Sequence, residues 1–172
     1  MFKWTFLVMN IALTLLTHSV QADELDDIHQ SIEKKYTNVQ HIDGQSLREL
    51  KQSDVLIFDV RKPKEFKVSH LANAIQVDPD ISESDFMNLF ASDLKDKTAV
   101  FYCSVGRRSS ELITRLAHHE KTIKMVNLEG GIFKWTNKEM PVNGVGVHPY
   151  NWYWSRLIED KEKIFYSPPV AK

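Results

Sequence analysis

Between residues 39 and 142, short apolar runs alternate with longer segments in which apolar residues recur every three or four positions. The runs have the length of β-strands, and the recurring segments have the period of amphipathic helices. The strand candidates are residues 55–58, 74–77, 98–102 and 123–126, and the helix candidates are residues 46–52, 82–94, 109–119 and 131–138. This alternation predicts an α/β fold with a mostly parallel central sheet of about five strands and helices on both faces.

Composition narrows the class of protein further. The chain has 172 residues, 22 basic against 23 acidic side chains and a net charge of -1. That length suits one domain with extensions, and the near-neutral charge removes the basic surface that a nucleic-acid binder needs. Cys103 is the single cysteine, which excludes a disulfide within the chain and a multi-cysteine metal site.

The first 22 residues have the pattern of a secretory signal peptide. Lys3 gives a positive start, Trp4 to Leu16 form an apolar run, and Val20 and Ala22 are small enough for a cleavage site. The run is shorter than the roughly 18 residues that a membrane span requires. We therefore predict cleavage after Ala22 and a mature chain that is exported, periplasmic or secreted, and soluble, with no stable membrane span.

Two further segments flank the predicted domain. Residues 23–38 carry an apolar stripe of helical spacing and predict an amphipathic arm that docks on the domain; the stripe comprises Leu25, Ile28, Ile32 and Tyr36. Residues 143–172 form an extension rich in aromatic residues, namely Tyr150, Trp152, Tyr153, Trp154, Phe165 and Tyr166. The favoured interpretation is that these rings cover an apolar patch of the domain, with a partner-binding or ligand-lid role left open.

The reactive residue is predicted to lie at the loop that follows the third apolar run, residues 98–102. That run ends at Cys103, a short loop with Gly106 follows, and Ser109 and Ser110 are placed to cap the next helix. Open α/β sheets bind ligands at the carboxyl ends of their strands, and loop N–H groups at a helix start stabilise a thiolate or an anion. A lone cysteine is more often a buried, inert core thiol, but the polar, loop-like flanks favour a reactive one.

Four motifs, in this order along the chain, resemble those of a rhodanese domain over residues 39–142. They are Phe58-Asp59-Val60-Arg61 with Glu65-Phe66, the segment Ser69–Ile75, the loop Cys103-x-x-Gly106-x-Arg108-Ser109, and the segment Asn127–Trp135. The second motif departs from the family pattern Gly-His-Ile-Pro-Gly-Ala, since Ser69, Ala72 and Asn73 replace the first glycine, the proline and the second glycine.

The resemblance implies a three-layer rhodanese-like fold and a sulfurtransferase. In such an enzyme Cys103 takes sulfane sulfur from a small anionic donor such as thiosulfate, carries it as a persulfide, and passes it to a thiol or cyanide. The loop amides and charges of Ser104, Val105, Gly106, Arg107, Arg108 and Ser109 would bind the donor. No metal or organic cofactor is implied.

Asp59 and Arg61 end the first of the strand candidates and could support the pocket. The preferred interpretation is structural: Arg61 pairs with Glu65, four residues on, and Asp59 caps the following turn.

Two other functions compete with sulfur transfer. A cysteine phosphatase needs a Cys-x5-Arg loop, whereas Arg108 gives Cys-x4-Arg and Ser109 stands where the arginine of Cys-x5-Arg would be, so this function is disfavoured. An exported thiol-redox or regulatory rhodanese-like module, without efficient turnover, remains the runner-up.

Overall fold

The computed structural model describes residues 24–119, 123–138, 140–158 and 163–164. The predicted signal peptide and the rings of Phe165 and Tyr166 lie outside them. The helices are α1 (24–35), α2 (Gly44–Glu49), α3 (Pro63–Val68), α4 (Glu83–Phe90), α5 (Arg107–Arg115), α6 (Gly131–Asn137) and α7 (Trp152–Ser155). The strands are β1 (Gln40–Ile42), β2 (Val55–Asp59), β3 (Ser69–His70), β4 (Ile75–Gln76), β5 (Thr98–Tyr102), β6 (Lys124–Leu128) and β7 (Asn143–Gly144). Within the described ranges, no helix has the length and apolar character of a membrane span.

The central sheet has five strands in the order β1-β6-β5-β2-β4, and every neighbouring pair is parallel. All residues of β5 from Ala99 to Tyr102 are buried, although their side chains point alternately to the two faces. Both faces of the sheet are therefore covered at its centre. The predicted α/β fold is confirmed.

Aromatic residues fill much of the core on one side of β2. Phe58 stacks on Phe101 with ring centroids 5.1 Å apart, and its edge meets the ring of Phe86. All three rings are fully buried. Burying rings of this size supplies a large share of the hydrophobic stabilisation of a domain.

Several boundaries differ from the sequence prediction. Strand β1, helix α3 and the small antiparallel β3–β7 pair were not expected. Helix α5 begins at Arg107, and the residue before it, Gly106, is the N-cap at φ +97°. The prediction that Ser109 and Ser110 cap this helix is therefore wrong: both lie inside its first turns, where Ser110 Oγ donates to the Gly106 carbonyl at 2.7 Å.

The two flanking segments meet each other on the domain. Helix α1 buries Leu25 and Ile32, and the C-terminal extension buries Val147, Leu157 and Ile158. The Arg156 guanidinium bridges the segments by hydrogen bonds to the Glu24 carboxylate.

Two aromatic residues of the extension, Trp152 and Tyr153, do not serve the covering role that we favoured from the sequence, whereas the partly buried Trp154 packs against the core. The ring of Trp152 is 84% exposed and that of Tyr153 is 58% exposed. Aliphatic residues of the same extension, Val147, Leu157 and Ile158, are fully buried. The rings of Trp152 and Tyr153 are therefore available for other contacts.

Gly131 allows the start of α6 to approach the Cys103 loop closely. Its φ is +56°, and an added Cβ would lie 2.3 Å from the Cys103 carbonyl oxygen. The Ile132 N–H donates to that oxygen at 3.0 Å, and the Phe133 N–H donates to the Ser104 carbonyl at 3.1 Å. The first turn of α6 thus holds the loop in place.

Gly131→Ala is expected to lower the free energy of unfolding by about 3 kcal/mol, because both the backbone strain and the clash act on the same residue. Urea denaturation measures this change. The control is Gly44→Ala, where φ is not positive and the nearest atom, 3.1 Å away, is the flexible thioether of Met140. Equal losses in the two variants would contradict the close-approach explanation.

Candidate active site

Cys103 directly follows the last residue of β5, at the carboxyl edge of the sheet. The loop after it turns back over the thiol, so that the Gly106 N–H points at Sγ from 3.2 Å. Gly106 can adopt this turn because its φ of +97° is open to glycine. The sequence prediction of a cysteine held at the start of a helix by loop amides matches this geometry.

The surroundings of Cys103 favour its thiolate. Burial by itself raises the pKa of the thiol, but the Arg108 charge and hydrogen bonds from Ser109 and from the Val105 N–H outweigh it and lower the pKa. The thiolate is the nucleophilic form of cysteine. Cys103 is only 1% exposed, so a reagent reaches it through the cavity above it.

Arg108 is fixed by an ion pair that the sequence prediction missed. Its two terminal nitrogens donate to both carboxylate oxygens of Glu65 at 2.9 Å, and Nη2 also donates to Ser104 Oγ at 3.0 Å. Glu65 is fully buried on α3, and burial raises its pKa, but the Arg108 hydrogen bonds and charge bring it below the ordinary value. Arg108 is thus a positioned part of the loop and not a freely exposed side chain.

Arg107 is more exposed than Arg108. Its side chain is exposed and forms no ion pair or hydrogen bond with any residue that the structure describes. It lines the cavity above Cys103. Of the two loop arginines, Arg107 is therefore the one available to attract an anion.

The cavity above Cys103 has a volume of about 220 Å³. It is lined by Cys103, Ser104, Val105, Arg107, Arg108, Glu111, Tyr150 and Trp154. The predicted loop residues Gly106 and Ser109 do not line this cavity. Gly106 is buried, and Ser109 Oγ donates to Oδ1 of the buried Asn127 at 2.6 Å. Among the described residues, no group of three or more His, Cys, Asp or Glu side chains is arranged to hold a metal ion.

The C-terminal extension supplies two walls of this cavity. The Tyr150 ring lies over the Arg108 guanidinium at 4.7 Å, a cation–π contact. Tyr150 has a φ of +65°, and its N–H donates to Nδ1 of the buried His148 at 3.0 Å. Two aromatic residues of the extension, Tyr150 and Trp154, therefore lie at the cysteine cavity.

Asp59 and Arg61 are close to the loop but do not line the cavity. Both are fully buried, and Arg61 Nη2 donates to Asp59 at 2.7 Å and to the Ser69 carbonyl at 2.6 Å. The Tyr102 hydroxyl donates to Asp59 at 2.6 Å. The predicted Arg61–Glu65 pair is wrong, since Glu65 is occupied by Arg108, whereas Asp59 does accept the Arg61 N–H in the following turn at 3.0 Å.

Sequence reasoning therefore missed Glu65, Glu111, Tyr150 and Trp154 as neighbours of the site. Glu65 was visible as part of a motif, but its partner lies 43 positions away. The aromatic density of the extension was the signal for Tyr150 and Trp154. Nothing in the sequence indicated that these rings fold back onto the cysteine loop.

The protein is thus an α/β domain in which a loop at the carboxyl edge of a parallel sheet holds one cysteine against backbone N–H groups. The family model described as the rhodanese-like domain matches residues 43–138, more than half of the chain. The chain belongs to the rhodanese-like family, as the motifs had indicated.

Similar proteins include the tRNA uridine(34) hydroxylase of Hamiltonella defensa, 27% identical over 135 residues that cover 74% of this chain and 37% of that protein. The probable molybdopterin-synthase adenylyltransferase of Porphyra purpurea is 35% identical over 84 residues, which are 48% of this chain and 20% of that one. The solved thiosulfate sulfurtransferase of Pseudomonas aeruginosa has a TM-score of 0.57 at 16% identity, covering 68% of this chain and 22% of that one. The chain spans less than half the length of each, and the structural likeness shows the fold alone.

The pH dependence of Cys103 alkylation tests the role of Arg108. The wild-type midpoint is expected below that of an ordinary cysteine, and Arg108→Ala is expected to move it to higher pH because the nearest positive charge is lost. Arg107→Ala is the matched control and should leave the midpoint almost unchanged. Iodoacetamide labelling followed by mass spectrometry gives the rates.

Arg108→Ala leaves the Glu65 charge buried without a partner, which destabilises a fold by about 3 to 5 kcal/mol. The double variant Glu65→Gln/Arg108→Met removes both charges and provides a second test. A midpoint that stays low in both variants would show that the loop amides alone stabilise the thiolate.

Proposed function

We propose that this protein is a sulfurtransferase that moves sulfane sulfur from a small anionic donor such as thiosulfate to a thiol or cyanide through a persulfide on Cys103. The observation that carries the proposal is the thiol itself: Cys103 has a lowered pKa and sits in a loop whose Gly106 N–H donates to Sγ. Membership of the rhodanese-like family supports the same reaction type.

The proposed first half-reaction is a displacement at sulfur. The Cys103 thiolate attacks the outer sulfur of thiosulfate, an S–S bond to Cys103 forms, and the bond within thiosulfate breaks with its electron pair leaving on sulfite. In the second half, an acceptor thiolate or cyanide attacks the outer sulfur of the persulfide. The electron pair of that S–S bond returns to Cys103, and the thiolate is regenerated.

The two loop arginines act on different negative charges. Arg108, held by Glu65, stays beside the sulfur and stabilises the negative charge on the thiolate and then on the persulfide. Arg107 lies at the cavity wall without an ion pair to any residue that the structure describes, and it attracts the dianionic donor. Glu111 also lines the cavity and favours donors whose charge lies close to Arg107 and away from its carboxylate.

Incubation of the purified protein with thiosulfate is expected to add about 32 Da, the mass of one sulfur atom, to Cys103. Cyanide should remove this mass and release thiocyanate. Cys103→Ser is expected to show neither the adduct nor turnover, because a serine hydroxyl cannot displace sulfite. Intact-protein and peptide mass spectrometry measure the adduct.

The same measurement separates sulfur transfer from the redox or regulatory function. If no sulfane donor loads Cys103 and the thiol instead gains one oxygen or forms mixed disulfides with small thiols, the transferase proposal fails. Within the chain there is no second cysteine to resolve an oxidised Cys103, so any such disulfide would be intermolecular.

We further propose that the protein is exported and that its signal peptide is removed after Ala22. The support is the charged start and the apolar run of residues 1–22. The protein recovered from the periplasm or medium is expected to begin at Asp23, as read by mass spectrometry of the intact chain. Recovery of a chain with its first 22 residues intact would contradict this proposal.

A further inference from the structure

The backbone of the C-terminal extension is strained at Tyr150, next to the Cys103 cavity. Tyr150 has a φ of +65°, and the N–H of Asn151 donates across it to the carbonyl of Pro149 at 2.7 Å. A hydrogen bond that spans three residues around a positive φ forms the γ-turn that proteins rarely use, because it strains the backbone. A residue other than glycine stays in such a conformation only where its surroundings hold it there, and such strain is concentrated at active sites and ligand clamps.

Residues on both sides of Tyr150 hold this turn in place. The Tyr150 N–H donates to Nδ1 of His148 at 3.0 Å, and His148 is only 3% exposed. Before the turn, Val147 is fully buried. After the turn, the Asn151 side chain accepts the N–H of Trp154 at 2.9 Å and so caps helix α7. Of these contacts, the one from His148 reaches Tyr150 directly.

The turn places the Tyr150 ring at the mouth of the cavity. The ring lies over the Arg108 guanidinium at 4.7 Å, and Tyr150 lines the same cavity as Cys103. Tyr150 is 42% exposed, whereas Cys103 is 1% exposed. A side chain that borders both the solvent and the cavity lies between them, so that a reagent entering on this side passes the Tyr150 ring.

We propose that Tyr150 is a gate that selects by size what reaches Cys103, and that His148 is the positioning residue that holds the gate closed through its unprotonated Nδ1. The inference goes beyond the proposed sulfur transfer, since it concerns the same cysteine but does not depend on the sulfur chemistry. Tyr150 and His148 both lie outside the residues matched by the family model, 43–138. The gate is thus a feature that this chain adds to the family domain.

Protonation of His148 is expected to open the gate. Nδ1 accepts the Tyr150 N–H only while it carries no proton, because the protonated ring has a donor at both nitrogens. The charged groups near the imidazole are Glu65 and Lys64 of α3 and Arg61 in the loop after β2. Burial is the largest effect and lowers the pKa of His148, while Glu65 raises this pKa and Lys64 and Arg61 lower it. The gate is therefore closed at neutral pH and is released as the pH falls through the lowered pKa.

The test compares two alkylating reagents of the same chemistry, iodoacetamide and its N-naphthyl derivative, on the purified protein. Both reagents attack the thiolate of Cys103, the single cysteine, so the ratio of their rate constants cancels the thiolate fraction and reports the width of the path to it. In the wild type, the ratio of the bulky to the small reagent is expected to rise about fivefold or more as the pH falls from about 8 to about 5. Mass spectrometry of the intact protein gives both rates.

His148→Asn is the conservative variant. The asparagine Oδ1 stands the same number of bonds from the backbone as the histidine Nδ1, and an asparagine oxygen commonly accepts the N–H two residues on. Because asparagine does not titrate, the ratio is expected to stay low at every pH.

Two further variants open the gate, and a third is the matched control. His148→Ala removes the acceptor and Tyr150→Ala removes the ring, so each is expected to raise the ratio about fivefold or more at neutral pH. His119→Asn changes a histidine of the short 3₁₀ helix Ala117–His119, which does not line the cavity, and should follow the wild-type pH profile.

A wild-type ratio that does not change with pH, or a ratio that rises at low pH in His148→Asn as well, overturns the role of His148 and with it the inference. A ratio that stays low in Tyr150→Ala shows that the ring is not the barrier and overturns it too. If His148→Ala does not fold, the comparison of the wild type with His148→Asn still decides. Failure of thiosulfate to load Cys103 overturns sulfur transfer alone, because alkylation needs only the thiolate.

Discussion

The ion pair between Glu65 and Arg108 organises the candidate site. Glu65 is fully buried, and a buried carboxylate is stable only with a cation and hydrogen bonds that replace water. Arg108 meets both oxygens, and Ser104 Oγ donates to one of them at 3.2 Å. The pair joins α3 to the cysteine loop, fixes a positive charge beside Cys103, and presents the guanidinium face on which the Tyr150 ring lies.

The two adjacent arginines of this loop have different surroundings. Arg108 is committed to Glu65 and to the thiolate, and its partners make it part of the fold. Arg107 has no partner among the described residues and lines the Cys103 cavity. A single loop thus holds a stabilised thiolate next to an arginine without an ion pair to any described residue, which is the combination that the proposed displacement at an anionic sulfur donor needs.

The residues outside the family domain shape what reaches the cysteine. Helix α1 and the extension are joined through Glu24 and Arg156, and Trp154 lines the Cys103 cavity. Motif reasoning located Cys103 and its loop, because strand, glycine, arginines and helix are contiguous in sequence. It predicted an ion pair between Arg61 and Glu65, because residues four apart are neighbours on a helix. In the structure Glu65 pairs with Arg108, and Arg61 pairs with Asp59.

The sequence by itself determined the α/β class, the family, the position of Cys103 at a strand end, and the helical stripe of the N-terminal arm, because all of these follow from local periodicity and contiguous motifs. Asn73 follows such a local rule. It replaces the second glycine of the family motif and adopts a φ of +59°, a conformation that asparagine tolerates better than most residues. Only the tertiary structure decided which charges pair, that Arg107 has no ion pair with the described residues, and that Tyr150 and Trp154 line the cysteine cavity. These contacts join residues tens of positions apart, and their energies depend on burial and geometry that no local pattern encodes.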